Sequence, residues 1–359
     1  MSFPWAAKAN TRTVRRRAHA SSAPCPRRNS LTLLVLVAVS TTAFFVDSPV
    51  ARAEPPRTEL PQAATQFVTP GSGSAALPQM NGNAMTIMQN SQKVILNWQN
   101  FNIGRDASVT FNQPDSSSSA LNRIAQGSPS QIFGKLSANG QIYLLNQNGI
   151  IFGNSAVVDT HALVASTLNI SDANFLNGLT NVINQNNSAF VADSTMDPQA
   201  SIAVQSGAVL KTDEGGRIMI LAPRVENAGE IDTPGGQAIL AASQDKVYLA
   251  ASGDPNLRGL LVEVKTGGTV DNLGKIVAER GNVSLLGLAV NQDGIVRATT
   301  SVNLNGSIRL VAQDQASVTV SSDGVGSAQA THTGSLSLGE NSLTEVTADD
   351  LSQTAADVC

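Results

Sequence analysis

The sequence predicts an all-β fold: a right-handed parallel β-helix, which is a solenoid of stacked coils, with an N-terminal β cap. Two observations predict this fold. Short apolar runs that follow a glycine recur along the chain, and long windows with a 3.6-residue period are absent. Successive glycines of the series are 20, 23, 22 and 25 residues apart, and they are Gly216, Gly236, Gly259, Gly281 and Gly306.

Each run places apolar residues two and four positions after its glycine, as Ile218 and Ile220 follow Gly216. In the Gly259 run the alternation is shifted by one residue. Alternation predicts strands with one buried face, and the glycine permits a positive φ at the preceding corner. A coil of this kind can bury its apolar side only against a neighbouring coil, about 4.8 Å away. A β-sandwich is the alternative, and the regular glycine spacing favours the solenoid.

One helix is predicted, over residues 171–178, with Ser171 as its N-cap and Gly178 as its C-cap. Its two turns are expected to contribute packing. The Asn-rich stretch of residues 181–187 is expected to form a loop or an internal ladder of asparagines, with a ligand-binding surface as the alternative.

Residues 1–53 have the features of a secretory signal peptide. A basic lead precedes the apolar run Leu31–Val46, and Ala51-Arg52-Ala53 then forms an A-x-A cleavage site before Glu54. We therefore predict cleavage between Ala53 and Glu54, and take an uncleaved membrane anchor as the alternative. A run of 16 apolar and hydroxyl residues is short for a membrane span.

Charge and cysteine content exclude several classes of protein. Without residues 1–53 the chain keeps 15 of its 23 basic and 26 of its 27 acidic side chains, a net charge of −11. Nucleic acids and anionic membranes select clustered Lys and Arg, so neither is predicted as a partner. Cys25 lies in the predicted signal peptide and Cys359 is the last residue, so no internal disulfide is expected.

The segment from Ile95 to Gly178 contains several short motifs in a fixed order. The order and spacing of these motifs resemble those of the haemagglutination-activity domain, also called the two-partner-secretion domain. This domain is found at the N-terminus of filamentous-haemagglutinin-type exoproteins. The family's Leu-Asn-Arg element corresponds to Asn122 and Arg123, and its Asn-Gly pair to Asn139 and Gly140. The motifs that carry the resemblance are residues 96–104, 109–114, 121–124, 130–140, 146–153 and 163–168.

Two features depart from the family pattern. The family's Asn-Pro-Asn-Gly-Ile motif appears here as residues 146–150, with Gln147 in place of the proline. Asn148-Gly149 retains a strong tight-turn signal, so we expect the turn to form without the proline. A second motif, Asn-Pro-Asn-Leu, is absent, and residues 112–115 are the nearest stretch.

The resemblance implies a partner and a location. The chain is expected to leave the cell unfolded through an outer-membrane β-barrel transporter, whose periplasmic domains recognise it, and to fold at the bacterial cell surface as a secreted protein. It also suggests a division of the chain. The expected parts are a flexible lead-in at 54–79, the two-partner-secretion domain at 80–200, β-helix shaft repeats at 201–320, and a polar acidic tail at 321–359 that is either complete or truncated.

The turn of residues 146–150 is the candidate recognition motif for the transporter. Its members are Asn146, Gln147, Asn148, Gly149 and Ile150. The alternative is that these residues only form a β-turn needed for folding. Asn146→Ala retains Asn148-Gly149, and on sequence grounds it is expected to leave the turn largely formed.

No catalytic constellation is recognised, so the chain is predicted not to be an enzyme. Of the three histidines, only His161 and His332 follow the predicted signal peptide, which makes a His-based metal site improbable. We therefore expect no bound metal and no cofactor. The densest acidic cluster lies among turn residues and is expected to be solvated; it comprises Asp213, Glu214, Glu226, Glu230 and Asp232.

Three functions remain open on this basis. The first is the secretion module of a large adhesin or haemagglutinin-like protein, whose further partner would be a host-cell surface receptor or a carbohydrate. The second is the secretion module of a contact-dependent growth-inhibition toxin. The third, a carbohydrate-active β-helix enzyme, requires grouped carboxylates that the sequence does not show.

Overall fold

The structure, a computed structural model, describes residues 53–194, 196–251, 259–301 and 305–349. The predicted signal peptide, apart from Ala53, and Cys359 lie outside these residues. Within them, no helix is long and apolar enough to cross a membrane. Strands dominate, and the helical elements are α1 (Asp172–Asn177) and two 3₁₀ turns at Leu179–Asn181 and Ile183–Gln185.

The strands of the first half are short except for two long ones. They are β1 (Gln62–Val68), β2 (Gln79–Asn81), β3 (Ala84–Met88), β4 (Lys93–Asn100), β5 (Ser108–Asn112), β6 (Ser119–Ile124), β7 (Ser130–Ile132), β8 (Lys135–Leu145), β9 (Ile150–Phe152), β10 (Val157–Ser166), β11 (Phe190–Val191), β12 (Ser201–Val204), β13 (Val209–Lys211), β14 (Arg217–Ala222) and β15 (Arg224–Asn227). The long strands β8 and β10 each pair with strands of two walls of the fold.

The strands of the second half are also short. They are β16 (Glu230–Asp232), β17 (Gln237–Ala242), β18 (Lys246–Ala251), β19 (Leu260–Val264), β20 (Thr269–Asn272), β21 (Lys275–Ala278), β22 (Asn282–Gly287), β23 (Ala289–Gln292), β24 (Ile295–Thr300), β25 (Ser307–Asp314), β26 (Ser317–Val320), β27 (Gly326–Gln329), β28 (His332–Thr333), β29 (Ser335–Leu338) and β30 (Leu343–Ala348).

Parallel pairing between successive coils builds three walls, which confirms the predicted parallel β-helix. Wall 1 consists of β3, β5, β8, β10, β13, β16, β21, β24 and β30. Wall 2 consists of β4, β6, β8, β10, β14, β17, β22 and β25. Wall 3 consists of β7, β9, β12, β15, β20, β23 and β29.

The N-terminal end of the helix is capped by antiparallel strands. β1 pairs with β4 at the edge of wall 2, and β2 pairs with β3 at the edge of wall 1. Both strands therefore cover backbone edges that would otherwise be open to another chain. Residues 54–79 were expected to be a flexible lead-in, whereas the structure places β1 and the start of β2 within them.

The C-terminal part also differs from expectation. Residues 321–359 were expected to form a polar tail, but β29 continues wall 3 by pairing with β23, and β30 continues wall 1 by pairing with β24. The exposed side chains of this segment include the apolar Leu336 and Leu338 of β29. β29 is exposed along its whole length.

The core inside the walls is built from columns of equivalent residues. In wall 3, Ile150, Ile202, Val225, Val270 and Val290 stand in register on successive coils, and each is fully buried. Neighbouring coils are about 4.8 Å apart, so each apolar side chain contacts its equivalents above and below. This explains why one coil requires the next for its stability.

The outer face of wall 2 is apolar as well, and chain segments outside the helix cover it. A second buried cluster joins Leu121, Val164 and Ile239 of this face to Phe175 of α1 and Val262 of β19. Wall 2 strands are consequently buried on both faces: all six residues of β17 are buried. Burial on both faces favours continuous apolar runs over strict alternation.

The covering segments leave the helix at the same corner, between walls 2 and 3. They follow β10, β17 and β25, whereas β14 and β22 pass to wall 3 through single residues, Pro223 and Leu288. Sheet β11-β18-β19 is antiparallel and belongs to this cover. Gly259 therefore precedes β19 of the cover, so its grouping with the coil-forming runs was wrong.

The predicted helix is confirmed with both of its caps. Ser171 Oγ accepts a hydrogen bond from the backbone N–H of Asn174 at 3.1 Å. Gly178, with φ +98°, donates its backbone N–H to the carbonyl oxygen of Asn174 at 3.1 Å. The Asn-rich stretch after it forms 3₁₀ turns that end at Asn186 in the left-handed region.

A buried hydroxyl of the core gives a stability prediction. Thr233 is fully buried, and its Oγ1 has no hydrogen-bond partner among the described residues. Thr233→Val replaces that hydroxyl with a methyl group of similar shape, so we expect the free energy of unfolding to rise by about 1 kcal/mol. Guanidinium chloride denaturation measures the change.

Ser166→Ala provides the contrast for this test. Ser166 Oγ is equally buried, but it donates to the carbonyl oxygen of Leu168 at 2.9 Å and accepts from the Leu168 N–H at 3.0 Å. Its removal leaves buried backbone groups unpaired and should lower the free energy of unfolding by about 1–2 kcal/mol. A loss of stability in Thr233→Val as large as that in Ser166→Ala would contradict the assignment.

Candidate functional site

The candidate recognition motif forms a tight turn at the corner between walls 2 and 3. It joins β8 to β9, and Gly149 donates its backbone N–H to the carbonyl oxygen of Asn146 at 3.0 Å. Asn146 Oδ1 accepts the backbone N–H of Asn148 at 2.9 Å. Gly149 has φ +107°, in the region that favours glycine. The turn therefore forms with Gln147 at the family's proline position.

Asn146 is an internal part of this corner. Its side chain is 1% exposed, and Nδ2 donates to the carbonyl oxygen of Ser128 and to Ser130 Oγ, both at 3.0 Å. These bonds attach the turn to the preceding coil. Asn146→Ala therefore removes three hydrogen bonds of a buried side chain, and the expectation that it would leave the turn largely formed needs correction.

The tip of the turn is more accessible than its base. Gln147 and Asn148 are half-buried, whereas Gly149 and Ile150 are buried, the latter at the head of β9 in the core column. Asn148 Nδ2 donates to the carbonyl oxygen of Gln126 at 2.9 Å. In the folded protein, only Gln147 and Asn148 of the motif present side chains to solvent.

The two polar residues of the Leu-Asn-Arg element lie on opposite faces of β6. Asn122 points into the core, where Oδ1 accepts the Trp98 Nε1–H at 2.8 Å and Nδ2 donates to the carbonyl oxygen of Tyr143 at 3.1 Å. Arg123 points outward. Its Nη2 donates to the carbonyl oxygen of Ile170 at 2.6 Å, and its guanidinium forms an ion pair with Asp172.

Arg123 thus holds the beginning of α1 against wall 2, and a second cation holds its end. Lys93 Nζ donates to the carbonyl oxygens of Phe175 at 3.1 Å and Leu176 at 2.8 Å. Desolvation by burial lowers the pKa of Lys93. Cations stabilise the C-terminal end of a helix, where carbonyl groups lack partners. Lys93 was not identified from the sequence, where no motif distinguishes it from a surface lysine.

Asn139 and Gly140 serve the packing of adjacent coils. Asn139 Oδ1 accepts the backbone N–H of Gln113, and its Nδ2 donates to the Gln113 carbonyl oxygen, both at 2.8 Å. A Cβ at Gly140 would lie 2.6 Å from Gln113 Oε1 and 2.7 Å from the carbonyl oxygen of Ser118. The Asn-Gly pair therefore fixes the coil that contains residues 112–115.

Residues 112–115, the stretch nearest to the missing second motif, lead into a turn organised by a carboxylate. Asp115 Oδ1 accepts the backbone N–H groups of Ser117 at 2.9 Å and Ser118 at 3.0 Å. Its Oδ2 accepts from Gln92 Nε2 at 2.7 Å. The hydrogen bond from Gln92, followed by that from the Ser117 side chain, lowers the pKa of Asp115 to about 2. This turn therefore keeps its ionised acceptor through the ordinary pH range.

A groove of about 490 Å³ runs between the motif corner and the beginning of α1. The structure brings Arg123 together with Gln147 and Asn148 along this groove, although they come from two separate motifs. Asn122, Asn139 and Asn146 are not among its lining residues. The other lining residues are Ala64, Asn97, Trp98, Ile124, Ala125, Leu145, Leu168, Asn169, Ile170, Ser171 and Asp172.

The predicted cleavage site lies at the start of the described residues. Ala53 and Glu54 are both exposed. Glu54 Oε2 lies 3.0 Å from Arg105 Nη2 in a surface ion pair, which contributes little to stability. Cleavage itself stays a prediction.

The acidic cluster seen in the sequence does not converge on one site. Glu226 lies on wall 3, whereas Glu230 and Asp232 lie on wall 1. Burial, with Glu279 and Glu230 nearby, raises the pKa of Asp232. Within the described ranges, no group of three His, Cys, Asp or Glu side chains is placed to hold a metal ion. The observed pairs of the cluster with basic groups are His161–Asp213 at 2.6 Å, Arg224–Glu226 at 3.6 Å, Lys275–Glu230 at 2.7 Å and Arg280–Glu214 at 3.2 Å.

Comparison with known families gives one match that spans most of the chain. The model described as the TPS (two-partner secretion) secretion domain matches residues 62–328. The match begins at β1 and ends within β27, so it includes the cap, most of the coils and the cover.

Similar proteins come from Haemophilus influenzae. A heme/hemopexin-binding protein of strain Rd is 30% identical over 274 residues, which are 71% of this chain and 28% of that protein. Another heme/hemopexin-binding protein of the species is 40% identical over 95 residues, 26% of this chain and 10% of its own length. The chain thus corresponds to less than a third of either relative.

A solved structure with the same fold is the HMW1 secretion domain from Haemophilus influenzae. It superimposes with a TM-score of 0.60 over 80% of this chain and 70% of its own length. Sequence identity is 23%, so the similarity concerns the fold.

Proposed function

Because the chain belongs to the TPS secretion domain family, we propose that it is recognised by the periplasmic domains of an outer-membrane β-barrel transporter and folds at the cell surface. A family of secretion domains implies a two-partner system with an outer-membrane transporter.

The burial of the motif indicates when it is recognised. Asn146 is 1% exposed and Ile150 is fully buried, so a partner can contact these side chains only before the corner folds. We therefore place recognition of residues 146–150 in the unfolded exported chain. A folded solenoid is also wider than a single extended chain, which favours passage before folding.

Folding after passage has a physical driving force. Each coil that emerges adds backbone hydrogen bonds to the preceding coil and buries one more member of each apolar column. The antiparallel cap of β1 and β2 closes the first edges, so coils add in one direction only. This supports threading from the N-terminal module towards the C-terminus.

A pair of variants separates recognition from folding. Asn146→Ala and Ser130→Ala both remove the 3.0 Å hydrogen bond from Asn146 Nδ2 to Ser130 Oγ. Only Asn146→Ala changes the proposed motif. Both chains are co-expressed with the transporter, and the amounts in periplasm and medium are measured. We expect Asn146→Ala to accumulate in the periplasm and Ser130→Ala to be secreted close to the normal level.

The stabilities of the two variants serve as the control for this experiment. Equal secretion of both variants, with similar losses of stability, would mean that the motif acts in folding alone. Binding supplies a second readout: a peptide of residues 135–153 should bind the isolated periplasmic domains, and the folded protein should not compete. Effective competition by the folded protein would contradict recognition before folding.

We propose further that the exported protein as a whole is a surface-binding protein of the adhesin class. Two of its relatives carry names of binding proteins for heme and hemopexin. A host receptor, a carbohydrate, heme or hemopexin are therefore the target classes to test with the full-length protein. The contact-dependent toxin and the carbohydrate-active enzyme are alternatives. The acidic residues of the described walls do not favour the enzyme, because they are paired with basic groups or dispersed over different walls.

A further inference from the structure

Three buried amide side chains occupy one column inside wall 3. Asn227 of β15, Asn272 of β20 and Gln292 of β23 stand in register on successive coils. Each has an exposed fraction of 0%. The preceding and following positions of the column are apolar, Val204 and Leu338. The amides therefore form a block of three coils within an otherwise apolar column.

The hydrogen bonds of this column run in one direction. Asn227 Nδ2 donates to Asn272 Oδ1 at 2.8 Å, and Asn272 Nδ2 donates to Gln292 Oε1 at 2.6 Å. Gln292 Nε2 donates to the carbonyl oxygen of Gly294 at 2.9 Å, in the turn that follows its own strand. Gln292 Nε2 also lies 3.2 Å from the carbonyl oxygen of Leu343 and 3.4 Å from Thr344 Oγ1, both in β30 of the next coil. Unlike the two asparagines, Gln292 has an acceptor in its own coil, so the series can close there. At the other end, Asn227 Oδ1 has no partner among the described residues.

This direction makes each coil dependent on the next one. The donor of Asn227 is satisfied only when the coil of Asn272 has docked, and the donor of Asn272 only when the coil of Gln292 has docked. A buried amide donor without a partner is strongly unfavourable. Two docked coils without the third would therefore lack the hydrogen bond from Asn272 to Gln292.

The neighbouring apolar column behaves differently. Val225, Val270 and Val290 occupy the same three strands and also face the core. Burial of such side chains is favourable in proportion to the apolar area covered and has no directional requirement. Each valine therefore adds stability coil by coil, without requiring that the third coil be present.

We propose that the column Asn227–Asn272–Gln292 couples three coils into one cooperative folding unit, from β15 to β23. The unit opens and closes as a whole, because each intermediate state lacks an amide–amide hydrogen bond of the column. It also has a defined minimum length: it cannot be completed until Gln292 is available. The coupling depends on the contacts within wall 3 and not on how the chain is recognised or secreted.

Hydrogen exchange of the full exported chain tests this coupling. In the wild type, the opening equilibrium constants measured for the backbone amides of β15, β20 and β23 should agree within about threefold. Asn272→Leu removes the middle member and keeps an apolar side chain of similar size. We expect the exchange rates of β15 and β23 to separate by at least about tenfold in this variant.

Val270→Ala is the matched control, because it weakens the same strand and leaves the amide column intact. Exchange should become faster in all three strands together. If Asn272→Leu does not fold, Gln292→Leu replaces it: β23 should then separate from β15 and β20, which keep their own hydrogen bond. Coupled exchange in the amide variant, or independent exchange of the three strands in the wild type, overturns the proposal.

Discussion

Replacing Gly149 with valine is expected to lower the free energy of unfolding by about 4 kcal/mol. Gly149 has φ +107°, and a Cβ at this position would lie 2.6 Å from the carbonyl oxygen of Ser201 in the next coil. A strained backbone conformation costs about 1–3 kcal/mol, and overpacking a further amount of about 1–3 kcal/mol. Both effects act at the corner where β9 and β12 must pair.

Denaturant unfolding followed by circular dichroism measures this loss. Gly127→Val is the matched control, because Gly127 is exposed, and a Cβ built there has no atom within 4 Å. This variant should change stability by no more than about 0.5 kcal/mol. Similar losses at the two glycines would show that the corner geometry of Gly149 is not the cause.

Replacing Trp98 with alanine is expected to lower the free energy of unfolding by about 3–5 kcal/mol. Trp98 is fully buried in the first coils, with the rings of Phe67 and Phe101 packed edge-on at 5.0 and 5.1 Å. Its Nε1–H donates to Asn122 Oδ1 at 2.8 Å. The substitution therefore creates a cavity between the cap and the coils, and leaves a buried amide oxygen without its donor.

Trp98→Phe separates these two contributions. It retains most of the aromatic packing and removes the indole N–H, so the expected loss is about 1–3 kcal/mol. Trp98 is the only tryptophan after residue 53, and its fluorescence follows unfolding of this region in the wild type. Circular dichroism follows the variants. A midpoint for Trp98→Ala equal to that of the wild type would contradict the proposed role of Trp98.

The motifs could be located from the sequence alone, but the separate role of each residue within a motif could not be assigned. Asn122 and Arg123 are adjacent in one motif, and on a strand they must face opposite sides. In an ordinary one-sided sheet, Arg123 would face solvent. Here the outer side of wall 2 is covered, so Arg123 instead holds the beginning of α1. This cover is formed by segments distant in sequence, which the motif does not contain.

Two predictions from the sequence were wrong because the local pattern of a strand does not identify the strand that pairs with it. The run after Gly259 alternates like a strand, and it is one, but it lies in the antiparallel cover and not in a coil. Residues 62–68 lie in a stretch rich in small and turn-forming residues, yet they pair with β4 as part of the cap. Alternation reports that one face of a strand is buried; it does not report which partner buries it.

By itself, the sequence determined the elements that depend on local chemistry. Periodic alternation specified the coil strands, and Ser171 and Gly178 specified the limits of α1, because strand faces and caps form between residues close along the chain. The glycines before the coil runs do not take the expected positive φ. A Cβ at Gly236 would lie 1.8 Å from the carbonyl oxygen of Gly216, so glycine is required there by the close approach of stacked coils. Only the tertiary structure decided which residues meet across coils. Asn227 and Asn272 are 45 residues apart, whereas Asn272 and Gln292 are 20 apart, because one coil contains the β18–β19 insertion. Each of the three amides stands two residues before a glycine, at Gly229, Gly274 and Gly294, so the sequence marks a repeated corner. That these side chains form one hydrogen-bonded column is decided by insertion lengths and strand register.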